Sequence, residues 1–140
     1  MQSREKNGII FIRLFTDEKI NNELIEVCKK YNVKNAVIVS AIGQVKEVKL
    51  GYFKEKGNYA EEKFQKPLEI LSISGNIIKN NDEYILHIHT IVGTEEKKTI
   101  GGHLIDATVG VTAEIVLLKT DIKAERRIDK HTGLKSLYLE

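Results

Sequence analysis

From residue 35 onward the sequence consists almost entirely of segments with the composition of β-strands. β-Branched and aromatic residues dominate them, and glycine, proline or asparagine separates one from the next. The five segments are "NAVIVSAIG" (35–43), "QVKEVKLGYF" (44–53), "EILSISGNIIK" (69–79), "EYILHIHTIVG" (83–93) and "DATVGVTAEIVLLKT" (106–120). The "NND" between the third and the fourth predicts a hairpin turn. This succession of strands predicts a largely antiparallel sheet.

The first 31 residues add one strand and the only predicted helix. "GIIFIRLF" (8–15) has the character of a strand, and residues 17–31 show a helical period. Apolar side chains there recur at steps of three and four residues, at Ile20, Leu24, Val27, Cys28 and Tyr31. The stripe includes the single cysteine, which we interpret as a buried structural thiol. One helix beside many strands predicts the α+β class.

Two of the strand segments are apolar on both faces. Residues 70–78 and 109–118 therefore need cover on two sides, from the helix and from another sheet or subunit. This favours a curved, barrel-like sheet and makes oligomerisation plausible. A length of 140 residues with 41% apolar residues fits one domain with a real core.

Three of the four histidines gather between residues 87 and 103. His87 and His89 are two apart in a strand, so they project from one face, opposite Leu86 and Ile88. His103 follows Gly101 and Gly102, and a hairpin between the segments could bring it alongside. Three neutral imidazoles leave a fourth tetrahedral position open, which is typical of a catalytic zinc site. The alternative is a pair of half-exposed strand residues, and His131 beside a turn is interpreted as a surface residue.

Two carboxylates in strand segments are weak candidates for catalysis. Glu69 and Glu114 could orient a ligand histidine or act as an acid or base, or each could simply face solvent. Ser72 and Ser74 are interpreted as ordinary strand hydroxyls, because no triad spacing accompanies them. No glycine-rich phosphate loop is present.

The charge pattern gives weak support for nucleic-acid binding. The net charge is only +2, and the one locally basic stretch, residues 119–135, also contains acidic residues. Its candidate phosphate contacts are Lys123, Arg126, Arg127 and Lys130. A single cysteine excludes an intrachain disulfide, and no segment resembles a signal peptide or membrane span, so a cytoplasmic protein is expected.

The order of motifs closely resembles the PPC (plants and prokaryotes conserved) domain. The resemblance rests on "AIGQVKEVKLGYF", "EILSISGNI", "LHIHTIVG" and "GGHLIDATVGVTAEIVL", and it covers about residues 8–138. It implies one domain spanning 1–140, with a curved antiparallel sheet assembled as a homotrimer. Plant members follow AT-hook segments in DNA-binding proteins, and stand-alone prokaryotic members carry a DNA-binding label. This sequence contains no Arg-Gly-Arg-Pro segment.

The prokaryotic members of that family keep three histidines, matched here by His87, His89 and His103. A more distant likeness links the chain to acetolactate decarboxylase, which binds zinc through similar His-x-His and Gly-Gly-His elements. The resemblance therefore implies a divalent metal, zinc, at these residues. Three functions are compatible with the sequence: a trimeric metal-binding domain acting on a small oxygen-rich substrate, a DNA-associated regulatory protein, and a protein-interaction scaffold.

Overall fold

The computed structural model describes residues 1–140 and contains nine β-strands and one α-helix. The strands are β1 (Gln2–Lys6), β2 (Ile9–Phe15), β3 (Asn35–Glu55), β4 (Asn58–Phe64), β5 (Leu68–Asn80), β6 (Glu83–Gly93), β7 (Thr99–Thr120), β8 (Ala124–Ile128) and β9 (Lys135–Leu139). The helix α1 spans Ile20–Lys30. The predicted α+β class with a curled, mainly antiparallel sheet is confirmed.

The main sheet closes on itself. Its seven strands follow the order β1-β2-β7-β6-β5-β3-β4, and β7 also pairs with β3. That additional pairing joins β3, β5, β6 and β7 into a barrel. β8 and β9 form a separate two-stranded hairpin, the C-terminal hairpin. All strand pairs are antiparallel.

The core lies between the inner face of the barrel and the helix. Alternating residues of β2 are buried at Ile10, Ile12 and Leu14, as the strand period requires. Four of the five residues in the helical stripe are buried, namely Ile20, Leu24, Val27 and Cys28. The buried position predicted for the thiol is confirmed, and burial raises the pKa of Cys28 to about 12. The helix begins at Ile20 rather than at residue 17. The residues before it form a turn in which the Phe15 amide donates a hydrogen bond to the Glu18 carboxylate.

Glycines bend the long strands where two backbones meet closely. Gly43 in β3 and Gly75 in β5 have φ angles of +141° and +139°. A Cβ at either position would lie 2.1 Å from a carbonyl oxygen of the paired strand. The predicted break at Gly43 is therefore wrong, because the glycine bends a continuous 21-residue strand rather than ending it.

Strand positions on the outside of the barrel carry an exposed apolar surface. We call it the outer apolar face, and its residues are Ile9, Phe11, Val37, Val39, Ile42 and Leu118. Ile9, Leu118 and Val37 form one row across β2, β7 and β3. Residues 109–118 were expected to be apolar on both faces. In the single chain one face of this part of β7 packs on the core, and the other is uncovered.

Several elements differ from the sequence-based prediction. β7 begins at Thr99 rather than at residue 106, so Gly101, Gly102 and His103 belong to the strand. The short strands β1, β4, β8 and β9 were not predicted. The turn between β5 and β6 is confirmed, with Asn81 at a φ of 52°. No helix of the chain is long and apolar enough to cross a membrane.

Candidate metal centre and ligand pocket

The three histidines meet on neighbouring strands. His89 of β6 lies directly opposite His103 of β7. His87 precedes His89 by two residues in β6, so it projects from the same face. The ring centroids are 5.3–5.5 Å apart. Their nitrogen donors all lie within 4.8 Å of one another. We call His87, His89 and His103 the histidine wall.

Strand geometry explains this convergence. The neighbours Ile88 and Leu104 are buried, which turns the histidines to the other face of the sheet. A tight connection over residues 94–98 returns the chain, with the Thr94 amide donating to the Lys98 carbonyl. A Cβ on Gly102 would lie 2.9 Å from the Gly51 carbonyl oxygen, so this glycine allows β3 to approach β7 closely beside His103.

A pocket of about 940 Å³ opens in front of the histidine wall. One side is formed by strands of the main sheet, including Tyr52 and Phe53 of β3 and Tyr59 of β4. The other side is formed by the C-terminal hairpin and the segment within it. We call these residues the hairpin wall: Arg126, Leu134, Lys135, Ser136 and Leu137. The pocket thus combines three potential metal ligands with a partly apolar lining.

Arg126 is the least exposed polar residue of this pocket, at 6%. Its Nη1 donates to the Lys135 carbonyl at 2.9 Å, and its Nη2 donates to Oδ1 of Asn76 at 2.6 Å. Asn76 is the register partner of His87, so it links the hairpin wall to the histidine wall. The Arg126 backbone is held as well, because its amide donates to Asn80 Oδ1 and its carbonyl accepts from Asn80 Nδ2.

The electrostatics of the pocket are positive. None of its 17 lining residues is an aspartate or a glutamate. Burial lowers the pKa of His87 below its ordinary 6.5, and the Arg126 charge is the next cause. Burial also lowers the pKa of His103, and His89, His87 and Arg126 add to this effect. Both shifts favour the neutral imidazole, the form that binds metals.

The predicted carboxylate candidates lie outside the pocket. Glu69 is exposed and accepts a hydrogen bond from Gln44 Nε2 at 2.9 Å. Glu114 is exposed on the outside of the barrel, opposite Arg13 in the strand register. Neither reaches the histidine wall of its own chain.

The predicted phosphate contacts are dispersed by the fold. Arg126 is buried, so it is not available to an extended nucleic-acid surface. Lys123 pairs with Glu140 at 3.8 Å, and Arg127 pairs with Glu125. Lys130 and His131 are exposed near the hairpin turn.

Sequence reasoning missed the pocket role of two polar residues. Arg126 was assigned to a basic tail, and Asn76 was not singled out. Asn76 stood out only as a polar residue in an apolar strand and Arg126 only as a charge in a polar tail, and neither signal shows that residues 50 positions apart would meet.

Comparison with known proteins identifies relatives along most of the chain. Residues 1–121 match the model of the Plants and Prokaryotes Conserved (PCC) domain, also abbreviated PPC. All three histidines lie within this match, whereas the hairpin wall lies beyond it.

Solved structures with the same fold cover nearly the whole chain. A metal-containing protein from Archaeoglobus fulgidus is 31% identical, with a TM-score of 0.84 over 97% of this chain and 96% of that one. A plant- and prokaryote-conserved protein from Pyrococcus horikoshii is 27% identical, with a TM-score of 0.81 over 99% and 96%. A "putative DNA binding protein" from Bacteroides thetaiotaomicron is 24% identical, with a TM-score of 0.92 over 99% and 96%.

Two further comparisons are more distant. A Staphylococcus aureus protein similar to acetolactate decarboxylase has a TM-score of 0.57 at 16% identity, over 86% of this chain and 54% of that one. This agrees with the fold likeness expected from the sequence. The bifunctional protein GlmU of two Synechococcus strains is 27% identical over 131 residues. The chain covers 92% of its own length in that match but only 20% of the GlmU chain.

Proposed function

Because this chain belongs to the Plants and Prokaryotes Conserved domain family, we propose that it binds one divalent metal ion, zinc, through His87, His89 and His103. The observation that carries the proposal is the convergence of three imidazoles from two strands, with donor atoms within 4.8 Å. Tetrahedral zinc with bonds of about 2.1 Å separates its donors by about 3.4 Å, so small side-chain rotations complete the set. The Archaeoglobus relative is described as a metal-containing protein, which gives further support for a bound metal.

The pocket beside the site supports a small-molecule ligand. The three histidines would hold zinc, which would supply Lewis acidity toward an oxygen atom of the ligand. The substrate class that fits this chemistry is a small oxygen-rich molecule, such as a keto or hydroxy acid. The residues of the chain itself orient this molecule: the histidines fix the metal, and the hairpin wall closes the opposite side.

Metal analysis of the purified protein tests the site. The wild-type protein should retain about one zinc per chain after dialysis, and the double variant His87→Ala/His89→Ala less than about a tenth of that. His131→Ala is the matched control, because it removes an exposed histidine that neither lines the pocket nor belongs to the histidine wall. Equal zinc in the wild-type protein and the double variant would exclude the site.

We also propose that the chain assembles as a homotrimer through the outer apolar face. Phe11 is 64% exposed and Val39 is 61% exposed in the single chain, and a contiguous apolar surface of this kind is typical of an interface. Sedimentation analysis should give three times the chain mass of 15.9 kDa. Phe11→Glu should lower this mass, whereas Leu139→Glu, an exposed apolar residue outside that face, should not.

DNA binding is the alternative function suggested by the names of two structural neighbours. A trimer would present Lys130 and the paired Lys123 and Arg127 three times, which is the observation in its favour. Titration of a labelled duplex at several salt concentrations tests it, because phosphate contacts weaken steeply with salt. No binding at low salt would exclude this function.

A protein-interaction scaffold is the third candidate. In that case the trimer itself would be the function, and the outer surface would hold a stable partner. A pull-down that recovers the same partner with the wild-type protein and with His87→Ala/His89→Ala would favour the scaffold over the metal site.

A further inference from the structure

Arg126 is a buried cation with only neutral partners. Its guanidinium contacts an amide oxygen and a backbone carbonyl, and it makes no ion pair with any carboxylate. Its Nε is buried without a hydrogen-bond partner. Burying an unpaired charge is costly, and proteins usually offset this cost with a counter-ion. The chain does not supply one here.

The surroundings of Arg126 increase the positive potential. Lys135 also lines the pocket, and no acidic side chain does. A divalent metal on the histidines would add two more positive charges. Such a pocket favours an anionic occupant, because fixed charges in a partly desolvated cleft act strongly.

The donors of Arg126 define the chemistry of that occupant. A guanidinium has five N–H groups, and the structure uses only two of them in hydrogen bonds. Its planar fork matches the oxygens of carboxylate and phosphate groups. The apolar side chains of Phe53, Leu86 and Leu137 line the same pocket and suit an organic remainder.

We propose that the pocket binds a small organic oxyanion, with its carboxylate or phosphate group held by Arg126 and its remainder facing the histidine wall. The inference deepens the function proposed above and rests on it for the contact between this ligand and a metal. It adds Arg126 as a ligand-binding residue and a negative charge as the requirement for recognition. It also assigns recognition to the C-terminal hairpin, which lies outside the part of the chain that matches the family.

The first test uses the wild-type protein in its metal-free form. Lactate, lactamide and inorganic phosphate are titrated separately into ¹⁵N-labelled protein, with the Arg126 Nε–H and the backbone amides of Leu134 and Ser136 as reporters. Lactate or phosphate should shift these signals with saturation, and lactamide, the neutral counterpart of lactate, should not. Stronger binding of lactate identifies a carboxylate ligand, and stronger binding of phosphate identifies a phosphate ligand. No binding of either anion, or equal binding of lactamide, overturns the proposal.

The second test compares two neighbouring arginines. Arg126→Gln should weaken binding of the favoured anion at least tenfold, whereas Arg127→Gln, which removes the same charge from the exposed face of β8, should change it less than twofold. Unchanged affinity in folded Arg126→Gln contradicts the proposal. Where Arg126→Gln does not fold, the wild-type titration decides.

Zinc content separates the two proposals. Arg126→Gln should retain the zinc of the wild-type protein, because Arg126 is not a ligand. Loss of anion binding with full zinc retention locates recognition at the hairpin wall. If the wild-type protein binds the anion but takes up no zinc, the proposed metal site is contradicted and the proposed anion site is supported.

Discussion

The two walls of the pocket are built in different ways. The histidine wall projects from β6 and β7, two strands of the closed barrel whose alternate residues are buried in the core. The hairpin wall belongs to a separate two-stranded sheet that contacts the barrel through a few polar groups, chiefly Arg126, Asn76 and Asn80. The first wall is positioned by apolar packing and the second by hydrogen bonds. A metal site needs fixed donor geometry, whereas a ligand site can be altered without disturbing the barrel.

The largest predicted difference between the walls concerns two glycines. Gly75→Ala should lower the free energy of unfolding by at least about 3 kcal/mol, because its Cβ would overlap the His87 carbonyl oxygen in addition to the unfavourable φ. Gly133→Ala in the hairpin turn should cost about 1–2 kcal/mol, because only its φ of +74° is unfavourable. Chemical denaturation measures both, and similar losses would show that the walls are equally constrained.

A smaller effect is expected from changing the link between the walls. Asn76→Asp places a carboxylate beside the Arg126 guanidinium and supplies the counter-ion that the native chain lacks. The variant should bind lactate or phosphate about tenfold more weakly, a difference of about 1.4 kcal/mol. Titration calorimetry measures this change, with Asn58→Asp on exposed β4 as the control. Affinity that matches the wild-type value would show that Arg126 does not hold the anion.

The smallest predicted effect is electrostatic communication between the walls. A nearby positive charge disfavours imidazolium, so Arg126→Gln should raise the pKa of His87 and His103 in the metal-free protein. The increase should stay below about one pH unit, because burial remains the first cause of both shifts. The increase should be larger for His87, because the Arg126 charge is the second largest cause of its lowered pKa and only the last of the causes for His103. Proton NMR titration of the imidazole C–H signals measures these values, and a fall in either pKa would contradict the prediction.

The sequence predicted the histidine wall better than the hairpin wall, and the reason is physical. A two-residue period and a hairpin connection are local properties, so they suffice to bring His87, His89 and His103 together. Burial of Arg126 depends on Asn76 and on the Lys135 carbonyl, and no local pattern encodes those contacts. A charged residue in a polar tail therefore resembled a solvent-exposed one.

The strands show the same division. Every apolar segment forms a strand, and the segment at 83–93 has the bounds of β6, although β7 begins seven residues earlier than predicted. β4 was missed because "NYAEEKF" lacks alternating apolar residues, and its conformation comes from pairing with β3. Gly43 was taken for a strand end because periodicity cannot distinguish a chain break from a bend where two backbones touch.

The pairing of β2 with β7 also affects how the chain reaches its native state. Ile9 pairs with Leu118, roughly one hundred residues later, so the sheet cannot be completed until nearly the whole chain is available. During synthesis the β1–β2 hairpin must wait for β7 with its apolar residues exposed. Contacts this distant in sequence lower the folding rate, so we expect this domain to fold more slowly than a helical domain of similar length.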